Sequence, residues 1–208
     1  MNAEQFQRQT DVSPETLELY QIWYSLLSRW NRKINLVAPS TIHDFWLRHA
    51  LDSWQVLDLL PKDSKTVLDM GAGAGFPSIA IAIALRHTPD ALITLVEANG
   101  KKCNFLRTVI RECALPAKAV QTRVENLDPQ NYDVITARAF APLAKLLDYS
   151  LPFWGKGTVA LFPKGENWQA EVEAAHKAYN FDLETTPSQT SDQAMILQVT
   201  NLRRKEEA

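Results

Sequence analysis

The stretch "VLDMGAGAGFPSIAIAIAL", beginning at Val67, constrains the fold of this chain more than any other. Gly71, Gly73 and Gly75 alternate between an apolar run that includes Asp69 and a second apolar run opened by Pro77. "TVLDM" reads as a short buried strand, and the segment from Pro77 to about Arg86 as a helix. Glycines between a strand and a helix let main-chain amides approach a ligand with no Cβ in the way. The start of the helix adds positive potential at the same place. This is the entry turn of a nucleotide-binding α/β half.

The next strand, "ALITLVEA", places Glu97 where a carboxylate can accept two hydrogen bonds from ribose hydroxyls. A dinucleotide fingerprint needs glycines in the order G-x-G-x-x-G. Here the order is G-x-G-x-G followed by Phe76 and Pro77, so that spacing fails. Asp69, two positions before the first glycine, suits a ligand carrying an ammonium better than one carrying a pyrophosphate. S-adenosylmethionine meets both conditions, with an amino-acid tail, a ribose and an adenine but no phosphate. A tight turn without any ligand is the bland alternative, which three spaced glycines and two placed acids disfavour.

Further strands and helices alternate along the chain. "GKKCNFLRTVIRECAL", "APLAKLLDYSLPFW" and "NWQAEVEAAHKAY" read as helices. "AKAVQTRV", "YDVITARAF", "GTVALFP" and "AMILQVTNL" read as strands. Such alternation implies βαβ units and a mostly parallel sheet. The first sixty residues have a different grammar. Ser13 and Pro14 open a helix whose apolar face carries Tyr20, Trp23, Tyr24 and Leu27. A second helical segment follows Pro39, with Thr41 and Asp44 spaced as a capping pair, and ends at Pro61. The expected organisation is a helical extension over residues 1–61 packed on a Rossmann-like domain over residues 62–208. Only the "RRKEEA" tail reads as frayed.

Composition narrows the function classes. A formal net charge of −2 argues against nonspecific coating of nucleic acid but allows a local basic face. The 2 cysteines, Cys103 and Cys113, form no CxxC arrangement, so neither a zinc knuckle nor a disulfide framework is expected. His43, His87 and His176 are scattered and predict no metal site. The N-terminus has no signal-peptide pattern, and the longest apolar run, "IAIAIAL", is far short of the ~20 residues that span a bilayer. The chain reads as cytoplasmic, with no membrane partner.

The motifs "NLVAPST", "WLRHALDSW", the glycine turn, "LVEANGKKCNFLRTV", "QTRVENL", "YDVITARAFAPL" and "LFPKG" occur in that order. Together they resemble the RsmG (GidB) family of 16S ribosomal RNA guanine-N7 methyltransferases, from about Asn35 to Gly165. The resemblance implies a class I S-adenosylmethionine-dependent methyltransferase fold: a mostly parallel seven-stranded sheet with an N-terminal helical extension. It implies as substrate a specific guanine of 16S rRNA, in the decoding-region loop of the small ribosomal subunit. Carried over by position, the cofactor residues are Gly71 and Phe76, Val124 and Glu125 in "TRVEN", and Arg138 in "ARAF". Glu97 takes the ribose, and Asp69, Gly73 and Gly75 complete the cofactor turn. Asn35, Arg48, His49, Arg138 and Lys164 form the expected RNA side. Three positions depart from the family pattern: Ala72 replaces a small hydroxyl residue, Ser78 a glycine, and Pro163 an aliphatic residue.

Guanine N7 carries an in-plane lone pair that is already free at neutral pH, so no base needs to remove a proton before attack. Positioning can then carry the rate, and no catalytic acid or base is expected. The chain holds no (Asn/Asp)-Pro-Pro-aromatic tetrapeptide of the kind used on exocyclic amines, and neither cysteine lies after the fourth strand. Lys101, Lys102, Arg107, Arg111, Arg123, Lys164, Arg203, Arg204 and Lys205 are candidates for a positive rim that grips phosphates. Competing expectations are a methyltransferase for a small metabolite, a nucleotide-linked oxidoreductase, and a noncatalytic RNA-binding assembly factor with a vestigial pocket. Glycine spacing disfavours the oxidoreductase, and cofactor binding would separate an enzyme from an assembly factor.

Overall fold

A computed structural model describes residues 1–206; Glu207 and Ala208, at the end of the tail, lie outside the described residues. Seven strands form one sheet: β1 Thr66–Met70, β2 Leu92–Val96, β3 Ala117–Val120, β4 Tyr132–Thr136, β5 Trp154–Lys164, β6 Tyr179–Pro187 and β7 Met195–Arg204. Their order is β3-β2-β1-β4-β5-β7-β6. The pairs among the first five strands are parallel, and β7 runs antiparallel to both β5 and β6. Val67, Leu68 and Met70 of β1 are fully buried, as expected for a strand covered on both faces. Strand order reverses at β1 and β4, so the ligand crevice of such a sheet opens at their carboxyl ends.

β6 was not marked by the sequence patterning, although "YNFDLE" alternates apolar and polar residues. Its short apolar content reflects its edge position, where only Tyr179 and Phe181 are buried. The expected fraying of the tail is not observed through Lys205. Arg203 and Arg204 belong to β7, and the Lys205 amide donates to Ala178 O at 2.9 Å.

Helices cover both faces. α1 (Ala3–Thr10), α2 (Pro14–Asn31), α4 (Ser78–Ala84) and α5 (Gly100–Glu112) contribute to one apolar cluster. α6 (Leu143–Ser150) and α7 (Trp168–Ala175) contribute to the other. α1 was not anticipated. It is held by a reciprocal cap in which Gln5 N donates to the Asn2 side chain and Asn2 N donates to the Gln5 side chain. α2 starts as expected, with Ser13 Oγ accepting from Thr16 N. Both cysteines are buried: Cys103 faces the core from α5, and Cys113 follows its end.

The single second helix expected before Pro61 is instead a series of short turns. A 3-10 turn spans Pro39–Thr41, a π-helical stretch spans Phe45–Leu51, and α3 is one turn, Asp52–Trp54. The predicted capping pair does not form. Thr41 Oγ1 donates to Ala38 O at 2.8 Å, and Asp44 gives no side-chain cap among the described residues. Aromatic packing overrides the local signal. Phe45 lies 5.6 Å from Trp23, 5.0 Å from Tyr24 and 5.3 Å from Trp46, each ring pair adding about 0.5–1.5 kcal/mol beyond its buried area. The wider winding seats both Phe45 and Trp46 inward and leaves Arg48, His49 and Asp52 at the carboxyl edge of the sheet.

Candidate active site

The carboxyl ends of β1, β2 and β4 open into a cleft of about 750 Å³, within the usual size of small-molecule and cofactor sites. One wall is main chain. Gly73 has φ +56°, and a Cβ there would meet only Gly71 O, at an ordinary contact distance of 3.8 Å. Glu97, 9% exposed, accepts from Gly73 N at 2.9 Å and from Asn99 N at 2.7 Å. Each of its carboxylate oxygens retains a second lone pair for a ligand hydroxyl. This cradle and this acid fit the adenosyl group that the sequence calls for.

The other two glycines have different uses. At Gly71, φ +72°, the Phe140 ring occupies the place of a side chain, with Cδ2 2.3 Å from where a Cβ would be. At Gly75, φ +88°, a Cβ would meet Ile79 of α4 at 2.4 Å and Leu106 of α5 at 3.2 Å. Gly71 and Gly73 line the cleft; Gly75 permits the helices to close on the turn.

Asp69 lies elsewhere than expected. It is fully buried beneath the turn and does not line the cleft, so it meets Ser78 in place of a ligand ammonium. Ser78 Oγ donates to its Oδ2 at 2.5 Å. Burial pushes the Asp69 carboxyl up to about 7; the Ser78 hydroxyl and the Arg138 charge oppose that shift, while Glu97 adds to it.

The facing wall is built of side chains. Phe76 packs 4.9 Å from Trp23 of α2, and the His49 ring stacks on it at 4.5 Å with 13° between planes. The Arg138 guanidinium lies 5.0 Å from the centre of the same Phe76 ring. Arg138 donates through Nη1 to Asp52 Oδ2 at 2.7 Å and through Nη2 to His49 Nδ1 at 3.1 Å. A guanidinium can only donate, so Nδ1 is the acceptor and the His49 proton sits on Nε2, which donates to Thr41 Oγ1 at 3.2 Å. Burial, then the Arg138 and Arg48 charges, drive the His49 pKa down to about 3 and keep the ring neutral. Asp52 Oδ1 also accepts from Thr190 Oγ1 at 2.7 Å and Gln55 Nε2 at 3.0 Å. Gln55 Oε1 in turn accepts from Gln189 N at 2.7 Å. The π-helical stretch with α3, the turn after β4 and the β6–β7 connection therefore meet around one ion pair, Arg138–Asp52.

Lys164, at the end of β5, pairs with Glu171 at 2.6 Å and donates to Ala141 O at 3.0 Å. Arg48 and Lys102 line the cleft without an ion pair among the described residues. Other anticipated residues lie off the cleft. Val124 is buried in the 3-10 turn Val124–Asn126 after β3, and Glu125 is exposed, accepting from Tyr149 Oη at 3.0 Å. Asn35 is exposed; Asn31 instead organises that turn, accepting from Leu36 N and Val37 N. The positive rim is shorter than expected. Arg111 closes α5 at the opposite end of the sheet, and Arg203 and Arg204 end β7 there, since Lys164 pairs with Met195 at the cleft edge.

Residues 16–196 match the family described as rRNA small subunit methyltransferase G (GidB). A "Ribosomal RNA small subunit methyltransferase G" of Hyphomonas neptunium is 44% identical over 197 residues, covering 94% of this chain and 92% of its own length. Another of that name, from Rhizobium meliloti, is 41% identical over 199 residues, with 93% of each chain covered. The chain belongs to this family.

Solved structures repeat the fold. An S-adenosylmethionine-dependent methyltransferase from Aquifex aeolicus superposes with a TM-score of 0.59 at 14% identity, over 83% of this chain and 96% of that one. TYW2 of M. jannaschii, solved in complex with AdoMet, gives 0.57 at 15% identity, over 84% and 80%. The family member described here therefore has the class I methyltransferase fold that the family resemblance implies. Asp52, Gln55, Thr190, Glu171 and Phe140 were not anticipated as site residues. Asp52 had a visible signal, an acid one turn beyond His49; Thr190 had none, because "TTPSQTSDQA" reads only as a polar loop.

Proposed function

We propose that this chain transfers the methyl group of S-adenosylmethionine to N7 of a guanine in 16S rRNA. Methylation of small-subunit ribosomal RNA is the activity of the family to which it belongs. When bound, the donor supplies an electrophilic methyl on a sulfonium, whose positive charge is lost in the transfer. Gly71 and Gly73 bring main chain to it, and Glu97 holds its ribose hydroxyls. Arg138, fixed by Asp52 and His49, faces that cradle and holds an anionic group, either the methionyl carboxylate or a phosphate. Asn35, Val124 and Glu125 act from the turns flanking the cleft, as the family pattern implies.

The observation that favours N7 is the state of the cleft's own bases. Glu97 is bonded to two amides, Asp52 to Arg138, and Glu171 to Lys164, while the acceptor nitrogen of His49 is occupied by Arg138. An acceptor that must first lose a proton would need one of these groups freed. Guanine N7 needs none, and holding it in line with the methyl is enough. The free cations Arg48 and Lys102 suit RNA phosphates. Among the described residues no helix is long and apolar enough to cross a membrane and no metal-binding group converges. The place of action we infer is the bacterial cytoplasm, on the small subunit or its rRNA.

The test is incubation with methyl-labelled donor and unmodified small-subunit particles or naked 16S rRNA, followed by mapping of the labelled nucleotide. Label at one guanine whose strand is cleaved by chemistry selective for N7-alkylated purines is the expected result. Label on an exocyclic amine, on carbon, or on neither RNA would overturn it.

A further inference from the structure

Phe140 is unusual for where it lies. Three large hydrophobic residues are exposed among the described residues, Met1, Leu92 and Phe140, and Phe140 alone of them lines the cleft, at 39% exposure. Its ring covers Gly71, at the cofactor turn, and lies 5.7 Å from the Tyr149 ring with 32° between planes. The backbone that carries it is held in an uncommon shape. Ala139 has φ +52°, a left-handed conformation that costs a non-glycine residue roughly 1–2 kcal/mol. Two flanking contacts hold this turn: Arg138 to Asp52, and Lys164 to Ala141 O. A fixed backbone that leaves an aromatic residue 39% exposed beside a cofactor cradle is poorly explained by folding, which buries most rings of this size more completely.

We infer that Phe140 is the stacking platform for the acceptor guanine. This rests on the guanine reading given above. A base drawn from its RNA strand loses its stacking partners and regains one on an aromatic side chain. Phe140 offers that face at the rim of the cleft, next to the turn that holds the donor. Arg48 and Lys102 line the same cleft without an ion pair among the described residues, where their cations can meet the adjoining phosphates. The flat ring fixes the plane of the base, which is the condition for aiming an in-plane lone pair at the methyl group.

The experiment compares Phe140→Leu, Phe140→Tyr and Phe140→Trp in the full chain, measuring steady-state transfer to unmodified small-subunit RNA and calorimetric affinity for S-adenosylmethionine. Phe140→Leu is expected to lower kcat/KM for RNA about 5- to 150-fold, the range of one base–aromatic stack. The two aromatic variants should stay within about threefold of the parent, and donor affinity within about twofold in all three. Equal loss of donor affinity and transfer would make Phe140 a cofactor wall, and full activity in Phe140→Leu would make it a space filler; either overturns the inference. Mapping the product of the parent chain separates the two claims. Label away from guanine N7 defeats the substrate reading and the inference with it, whereas label at N7 with an unaffected Phe140→Leu defeats stacking alone.

Discussion

The glycine-turn wall of the cleft and the wall facing it, which we propose receive the donor and the acceptor, are made of different materials. From Gly71 to Glu97 the contacts are main-chain amides and one carboxylate, contributed by two neighbouring parallel strands and the turn between β1 and α4. Across the cleft, Thr41, His49, Asp52, Gln55, Arg138 and Thr190 come from segments far apart in sequence and are joined by side-chain hydrogen bonds. A main-chain wall is set once the sheet forms. A side-chain wall needs the N-terminal turns, β4 and the β6–β7 connection to dock before the bonds that join them exist. On the proposed function the first would hold a donor common to many enzymes, and the second can differ with the substrate.

The largest effect should come from spoiling the main-chain wall at its one open point. Gly73→Val puts a branched side chain into the cleft at a positive φ, which costs roughly 1–2 kcal/mol of stability but collides with no packed atom. Donor affinity measured by calorimetry should fall at least about 100-fold while the chain stays folded. Normal affinity would show that the ligand does not lie against this turn.

That contrast also explains what could be read in advance. Alternating glycines and an acid at the next strand end are local signals, so Gly71, Gly73 and Glu97 were legible from the sequence. Asp69 was legible as important but misassigned, because its neighbour Ser78 is one helical turn into α4 and only the fold shows that their side chains meet. A mostly parallel sheet of seven strands follows from the family resemblance, whereas β6 lacks the apolar content to announce itself. The Arg138–Asp52–Thr190 connection joins residues separated by 86 and 138 positions, and no spacing rule reaches that far.

A smaller loss should follow from disturbing the side-chain wall. Arg138→Ala removes the cation that both His49 and Asp52 hold, and should lower methyl transfer by about 10²–10³ with a modest change in melting temperature. Asp52→Asn keeps the shape but frees Arg138 and weakens the tie to Thr190. It should lower kcat/KM for RNA by about 10- to 100-fold and leave donor affinity nearly unchanged if Arg138 serves the RNA. A parallel fall in donor affinity would assign Arg138 to the methionyl carboxylate instead. Either result sharpens the division between the walls, whereas unchanged turnover in both variants would erase it.

The smallest effect concerns the two buried groups beneath and beside these walls, whose linkage to pH has opposite signs. Asp69 rises from 3.8 to about 7 on folding, so between those values the folded chain keeps a proton that the unfolded chain releases. Its contribution to stability is full below pH 3.8 and is lost as pH rises through about 7. His49 falls from 6.5 to about 3, so its contribution is full above pH 6.5 and is lost as pH falls through about 3. Across pH 4–6.5 the two slopes oppose each other and flatten the observed curve. Asp69→Asn removes one of them while its amide oxygen can still accept from Ser78 Oγ. Thermal melts of that variant should therefore gain stability relative to the parent by a few degrees between pH 4 and pH 8. Between pH 4 and pH 6.5 the rise due to His49 should stand uncovered. Parallel melting curves for the two chains would mean that Asp69 stays ionised in the fold, and that the charge beneath the glycine turn is carried by the main-chain wall after all.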